Sequence, residues 1–218
     1  MTIRVVTKAL LLDFDGVILD SAAHKNDAYM RVYRGADPAI LEKIAAYATL
    51  HGGITRRDKF VYFERELFGR AGGADDVERL AAAFRDLVFE QVLACPFIAG
   101  APRLLEHAQG KLALHLISGT PHDELVEIVE RRGLARFFAS VHGAPPGKRE
   151  TFESILAQYR YQPADALAVG DARTEFDAAR ALGVPFIGVV KAGAASPFPA
   201  EVPTMATMVE LASRLGLA

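Results

Sequence analysis

The sequence predicts an α/β protein: three layers, with helices on both faces of a parallel sheet, and a helical domain inserted near the start. Three observations predict it. Short apolar runs alternate with helix-period segments after Pro96. The stretch 22–92 is helix-patterned throughout, with no strand-like run inside it. One earlier run, Val5 to Asp13, has the character of the later strands. Strands alternating with helices imply parallel pairing, so the first run joins the later sheet and the helical stretch interrupts it.

Val5 to Asp13 is short, apolar and closed by Gly16, which suits a buried strand. Phe60, Phe63 and Leu67 then share one helical face, and Leu80, Phe84, Leu87, Val88 and Val92 share another. Breakers at Gly35 to Pro38, Gly52-Gly53 and Gly69 to Gly73 divide the stretch into about four helices. Helices are predicted next over 101–109, 124–132, 150–159 and 175–182, alternating with strands over 112–117, 140–142, 166–169 and 186–190. The domain reading is a core of residues 1–17 and 96–218 around an insert of 18–95.

Composition excludes several classes. The chain has 218 residues, 51% hydrophobic and 24% charged, enough to bury a core. A net charge of −2 without acidic or basic blocks argues against nucleic acid or a membrane surface as partner. The single cysteine, Cys95, excludes an internal disulfide and fits a reducing compartment. No signal peptide or bilayer-spanning run is present, so the expected location is cytoplasmic, as a monomer or homodimer.

Chemistry concentrates at the predicted strand ends. "DFDG" closes the first strand, Ser118-Gly119-Thr120 the second, Lys148 follows the third, and Gly170-Asp171 closes the fourth. In open parallel sheets, ligands bind beyond these carboxyl ends. Two carboxylates about 4 Å apart repel by roughly 4 kcal/mol at an effective dielectric of 20. Asp13, Asp15 and Asp171 therefore need a cation, and an all-oxygen set of few carboxylates suits Mg²⁺ shared with a phosphate.

"DFDGV", "SGT", Lys148 and "GDARTEFDAA", in that order, resemble the four motifs of the haloacid dehalogenase superfamily of phosphohydrolases. The insert resembles that superfamily's α-helical cap of the first type, on a Rossmann-like core. The resemblance implies Asp13 as the nucleophile that becomes an aspartyl-phosphate, and Asp15 as acid and then base. It implies Ser118 on the phosphoryl oxygens, with Gly119 and Thr120 beside the substrate, and Lys148 neutralising the charge shared with Asp13. Asp13, the Asp15 carbonyl and Asp171 would hold Mg²⁺, with Glu175 where the family commonly has a second aspartate. Ala172 stands where serine is frequent.

Asp15 separates the chain from dehalogenases, whose leaving halide needs no proton. "GITRRDKF" resembles the "GxSRxxxL" stretch of the phosphoglycolate phosphatase and β-phosphoglucomutase branch, which implies that Arg56 reads the substrate, with Arg57 and Lys25 next in line. A mutase carries a histidine where Lys25 stands. The implied activity is Mg²⁺-dependent hydrolysis of a small phosphorylated metabolite. The alternatives are a sugar-phosphate mutase, or a non-enzymatic phosphoaspartate receiver or binding module, although receivers are usually shorter and lack the insert. "GAPPGKR" is one residue short of a P-loop, lacks its hydroxyl, and has two prolines that remove amide donors. The six histidines show no metal-ligand spacing, and Cys95 reads as structural.

Overall fold

The computed structural model describes residues 7–217. Six parallel strands form one sheet: β1 (Ala9–Leu12), β2 (Ala113–Pro121), β3 (Ser140–Ala144), β4 (Ala166–Gly170), β5 (Phe186–Val189) and β6 (Thr204–Met205), in the order β3-β2-β1-β4-β5-β6. The start of the predicted first strand, Val5-Val6, lies outside the described residues. Leu10 of β1 stands beside Leu114 of β2 and Leu167 of β4. All four β1 side chains are fully buried, because alternate residues enter different layers. Leu10 and Leu12 join the layer reaching the insert, while Ala9 and Leu11 pack with Phe152, Ile155 and Ala179 on the other face. The chain winds outward from β1 in one direction and from β4 in the other, which opens a crevice at their carboxyl ends.

The insert carries four α-helices, α1 (Ala22–Val32), α2 (Pro38–Leu50), α3 (Arg56–Tyr62) and α4 (Ala74–Ala94), separated at the predicted breakers. Asp37 caps α2 by accepting from the Ala39 amide at 2.8 Å, with Pro38 at its first position. Residues Phe63–Leu67 continue α3 as a π turn, the Phe68 amide reaching the Phe63 carbonyl at 3.1 Å. Tyr29, Tyr33, Phe60, Phe63 and Phe84 make the insert's aromatic centre, with Tyr29 and Phe84 centroids 4.4 Å apart. Such tilted and edge-on pairs add about 0.5–1.5 kcal/mol each beyond area burial.

Two linkers join insert to core, and they pair with each other. The Asp20 amide donates to the Pro96 carbonyl and the Ile98 amide to the Ile18 carbonyl, both at 2.9 Å. Arg132 of the core donates to the Val92, Leu93 and Cys95 carbonyls at 3.2, 2.7 and 2.8 Å. It thereby satisfies the carbonyl end of α4 with a cation, where the helix dipole favours one.

The remaining helices are α5 (Ala101–Ala108), α6 (His122–Arg131), α7 (Lys148–Gln158), α8 (Arg173–Leu182) and α9 (Met208–Arg214). Helices predicted at 124, 150 and 175 begin two residues earlier, and β2 runs on through the predicted motif to Pro121. β6 and α9 were not anticipated. β6 is two residues long, and α9 is held by burying Met208, Leu211 and Ala212 beside α5, so tertiary packing makes them. Among the described residues no helix is long and apolar enough to cross a membrane.

Candidate active site

β1 stops one residue short of the site. The Asp13 amide still joins the ladder, donating to the Val169 carbonyl at 3.0 Å. In a continuing strand, Asp13 and Asp15 would share a face; because the strand has ended, they meet different partners. Asp13 Oδ1 accepts from the Phe14 amide and from Lys148 Nζ, both at 2.7 Å. Its Oδ2 accepts no hydrogen bond from the described residues. The turn needs Gly16: its φ is +76°, and a Cβ there would lie 2.1 Å from Asp171 Oδ2.

Lys148 opens α7, and its ammonium spends all three protons. Nζ lies 2.7 Å from Asp13 Oδ1, 2.7 Å from the Ile117 carbonyl and 2.8 Å from Glu175 Oε1. Burial opposes its charge, but the two carboxylates overcome that and push the ammonium above its ordinary range. Glu175 sits in the first turn of α8 and is buried. Its Oε2 is fully buried with no hydrogen-bond partner.

That orphan oxygen tests whether a cation fits. Asp13, Asp171 and Glu175 each offer a carboxylate oxygen within 4.8 Å of the others. Burial raises Asp13 to about 7, with Glu175 and Asp15 adding to the rise and Lys148 opposing it. Burial, then Asp13, Glu175 and Asp15, raise Asp171 well above the usual carboxylate range, with Lys148 opposing. Three crowded carboxyl groups with a spare buried acceptor suit a hard dication, whose charge would restore their ionised forms. Glu175 thus reaches the cluster from the position expected of it. Asp177 is on the helix's exposed side, 3.3 Å from Arg180.

Asp15 has a separate environment. Lys25 Nζ, on α1, donates to Asp15 Oδ2 at 2.6 Å and to Thr120 Oγ1 at 2.7 Å, while Ser21 donates to Asp15 Oδ1. Burial works against the Asp15 charge, but Lys25 and Ser21 hold it below the usual range. Ser118 Oγ accepts from the Thr120 amide and donates to Thr120 Oγ1, each at 3.1 Å. Gly119 has no room for a side chain, since a Cβ would lie 2.8 Å from the Gly53 carbonyl. The insert's glycine loop therefore rests directly on the core motif.

A cavity of about 410 Å³ lies between insert and sheet edge, lined by Asp13, Asp15, Asp171, Lys25, Arg56 and Lys59 among others. A second, of about 510 Å³, opens beyond Ser118 and Lys148. The structure brings Asp13, Asp15, Ser118, Gly119, Thr120, Lys148, Asp171 and Glu175 together at the strand ends. Arg56 lines the first cavity, but its guanidinium donates to Glu124 of α6 at 2.7 Å and lies 4.8 Å over Phe84. The fork expected for substrate is engaged with the core. Arg57 is paired with Glu78 on the surface, away from this cavity. Sequence reasoning missed Lys59, which is 5% exposed and lines the cavity. Its signal was position: Lys59 lies three residues after Arg56, on a neighbouring helical face.

Comparison with known proteins bears on the family and the fold. Residues 7–183 match the family model described as haloacid dehalogenase-like hydrolase. A phosphoglycolate phosphatase of Synechococcus elongatus is 25% identical over 191 residues, covering 84% of this chain and 83% of that one. Among solved structures, a β-phosphoglucomutase from Clostridium difficile superposes with a TM-score of 0.71 at 15% identity, covering 96% of this chain and 97% of that one. A predicted phosphoglycolate phosphatase from Haemophilus somnus gives 0.72 at 15% identity, with 96% and 98% covered.

Proposed function

The chain belongs to the haloacid dehalogenase-like hydrolase family as an enzyme of the phosphatase kind, and on that premise we propose that it hydrolyses a small phosphorylated metabolite through an aspartyl-phosphate on Asp13, with Mg²⁺. The observation that carries this reading is Lys148 holding Asp13 Oδ1 and Glu175 Oε1 together beside an unpartnered buried Glu175 oxygen. Asp13 Oδ2 is then the free atom, and it attacks phosphorus while the bond to the leaving oxygen breaks. Lys148 and the Ser118 hydroxyl stabilise charge on the phosphoryl oxygens. A Mg²⁺ held by Asp13, Asp171 and Glu175, with the Asp15 backbone carbonyl, would neutralise the rest.

The leaving oxygen needs a proton, yet Asp15 is held ionised. Lys25, hydrogen-bonded to Asp15 at 2.6 Å, is placed to supply it, so the Asp15–Lys25 pair acts as the acid. In the second step water attacks phosphorus as phosphate leaves Asp13, and Asp15 takes the water's proton and passes it to the neutral Lys25 amine, restoring the pair. The cavity of about 410 Å³ between insert and sheet edge suits a small ester. Phosphoglycolate is a first substrate to try, on the strength of the Synechococcus relative.

Release of inorganic phosphate from a panel of phosphorylated metabolites, with Mg²⁺ and with excess EDTA, tests the reading. Turnover is expected with the metal and not with the chelator. Undiminished turnover in EDTA would sink the metal assignment, and no turnover of any ester would sink the reading itself.

A further inference from the structure

We propose that Lys59 is the residue that selects the substrate, binding a carboxylate or second phosphate carried by the leaving group of the ester. The inference rests on the phosphatase reading above and deepens it.

Five cationic side chains line the cavity: Lys25, Arg56, Lys59, Arg173 and Lys191. Lys25 is committed to Asp15 and Thr120, and Arg56 to Glu124. Lys191 lies on the exposed rim, 2.9 Å from Asp20, and Arg173 is exposed to solvent. Lys59 differs from all four. It is buried, and among the described residues its ammonium has no carboxylate partner. Its one hydrogen bond goes to the Ala48 carbonyl near the end of α2, at 3.2 Å, and it lies 5.0 Å from the Tyr29 ring centroid. An ammonium has three protons to donate, so two are left without an acceptor among the described residues.

Burying such a group is costly unless something repays it. Burial depresses Lys59 to about 8, helped by Lys25 on α1, while Asp15 and Asp171 at the ends of β1 and β4 work to keep it charged. Tyr29 of α1 and the carbonyl end of α2 face it from the insert. Asp15 already has Lys25, and Asp171 belongs to the cation cluster. The missing counter-charge therefore comes from the ligand. With the phosphoryl group at Asp13 and Lys148, the leaving group extends through the cavity towards α3, where Lys59 meets its far end. A 410 Å³ space holds a leaving group of metabolite size.

The test compares Lys59→Met and Lys59→Arg with wild type on phosphoglycolate, a sugar bisphosphate and p-nitrophenyl phosphate, the last having no anion in its leaving group. Wild type should favour at least one of the two anionic esters. Lys59→Met should raise KM for that ester by about 10-fold or more, the scale of a lost charge-assisted hydrogen bond. Turnover of p-nitrophenyl phosphate should change by less than about 3-fold, and Lys59→Arg should recover part of the loss. The melting temperature of Lys59→Met should hold or rise, because an uncompensated buried charge has gone. Equal losses on both ester types, a lowered melting temperature with general loss, or no loss on either type would each overturn the assignment. Failure of wild type on every ester would bring down the phosphatase reading, and this inference with it.

Discussion

The sheet edge and the inserted helices both place buried charge on one cavity, and they treat it differently. At the sheet edge charges are gathered and cross-linked: Lys148 joins Asp13 to Glu175, and Lys25, reaching in from α1 of the insert, joins Asp15 to Thr120. On α3 of the insert the charges are kept apart. Arg56 reaches across to Glu124 of the core at 2.7 Å, and Lys59 has no carboxylate partner in contact among the described residues. A rigid parallel sheet can hold like charges at close range for one fixed task, positioning a phosphoryl group. A helical insert resting on it through Gly53 and Gly119 can vary what it presents to the rest of the substrate. The proposed division of labour, chemistry at the sheet edge with Lys25 lent by α1 and selection on α3, follows from that contrast.

Breaking the sheet-edge half should have the larger effects. Asp13→Asn should lower turnover by at least about 10⁴-fold for every ester, since the nucleophile is lost. Asp15→Asn should cost about 10²- to 10⁴-fold while leaving Asp13 able to accept the phosphoryl group, as phosphate-release kinetics would report. Lys148→Met should cost about 10²- to 10³-fold in kcat, equally for all esters.

The insert should respond by changing stability or selectivity. Arg56→Ala strands Glu124, and losing one partner of a buried pair costs about 3–5 kcal/mol. Arg85, whose Nε lies 3.9 Å from Glu124 Oε2, should take up part of that. Denaturant unfolding should show the loss, and both ester types should weaken together. A loss confined to anionic esters, with stability unchanged, would instead make Arg56 the reader and erase the contrast with Lys59.

The smallest effect expected is far from the site. His115 is buried in β2, its Nδ1 2.7 Å from Ser140 Oγ, and burial, with His142 nearby, lowers it to about 4. As pH falls from about 6.5 to about 4, the unfolded chain takes up a proton that the folded chain refuses. Stability therefore falls with acidity across that window. His115→Gln should flatten this part of the melting-temperature profile relative to wild type, and unchanged slopes would refute the assignment.

How much of this the sequence discloses depends on the distance over which each feature is made. The strand ends were legible because Asp13, Ser118 and Asp171 each close an apolar run, and the helices of the insert because glycine and proline divide them. Lys59 was not legible, since a lysine in a helix ordinarily lies in solvent and only the packed neighbours bury it. Arg56 and Glu124 are 68 residues apart, and nothing local to either announces the pair. Lys25 could be placed beside the site but not matched to Asp15, because that contact needs α1 folded back over the strand end. β6 depends on its neighbour β5 for its existence, and two residues carry no period to read.

On the proposed reading the sheet edge transfers the phosphoryl group through Asp13, whatever the insert selects. Mass spectrometry of acid-quenched enzyme during turnover tests it most directly. A phosphoryl group is expected on Asp13, absent in Asp13→Asn and retained in Asp15→Asn. A phosphoryl group on any other residue, or steady turnover by Asp13→Asn, would contradict it.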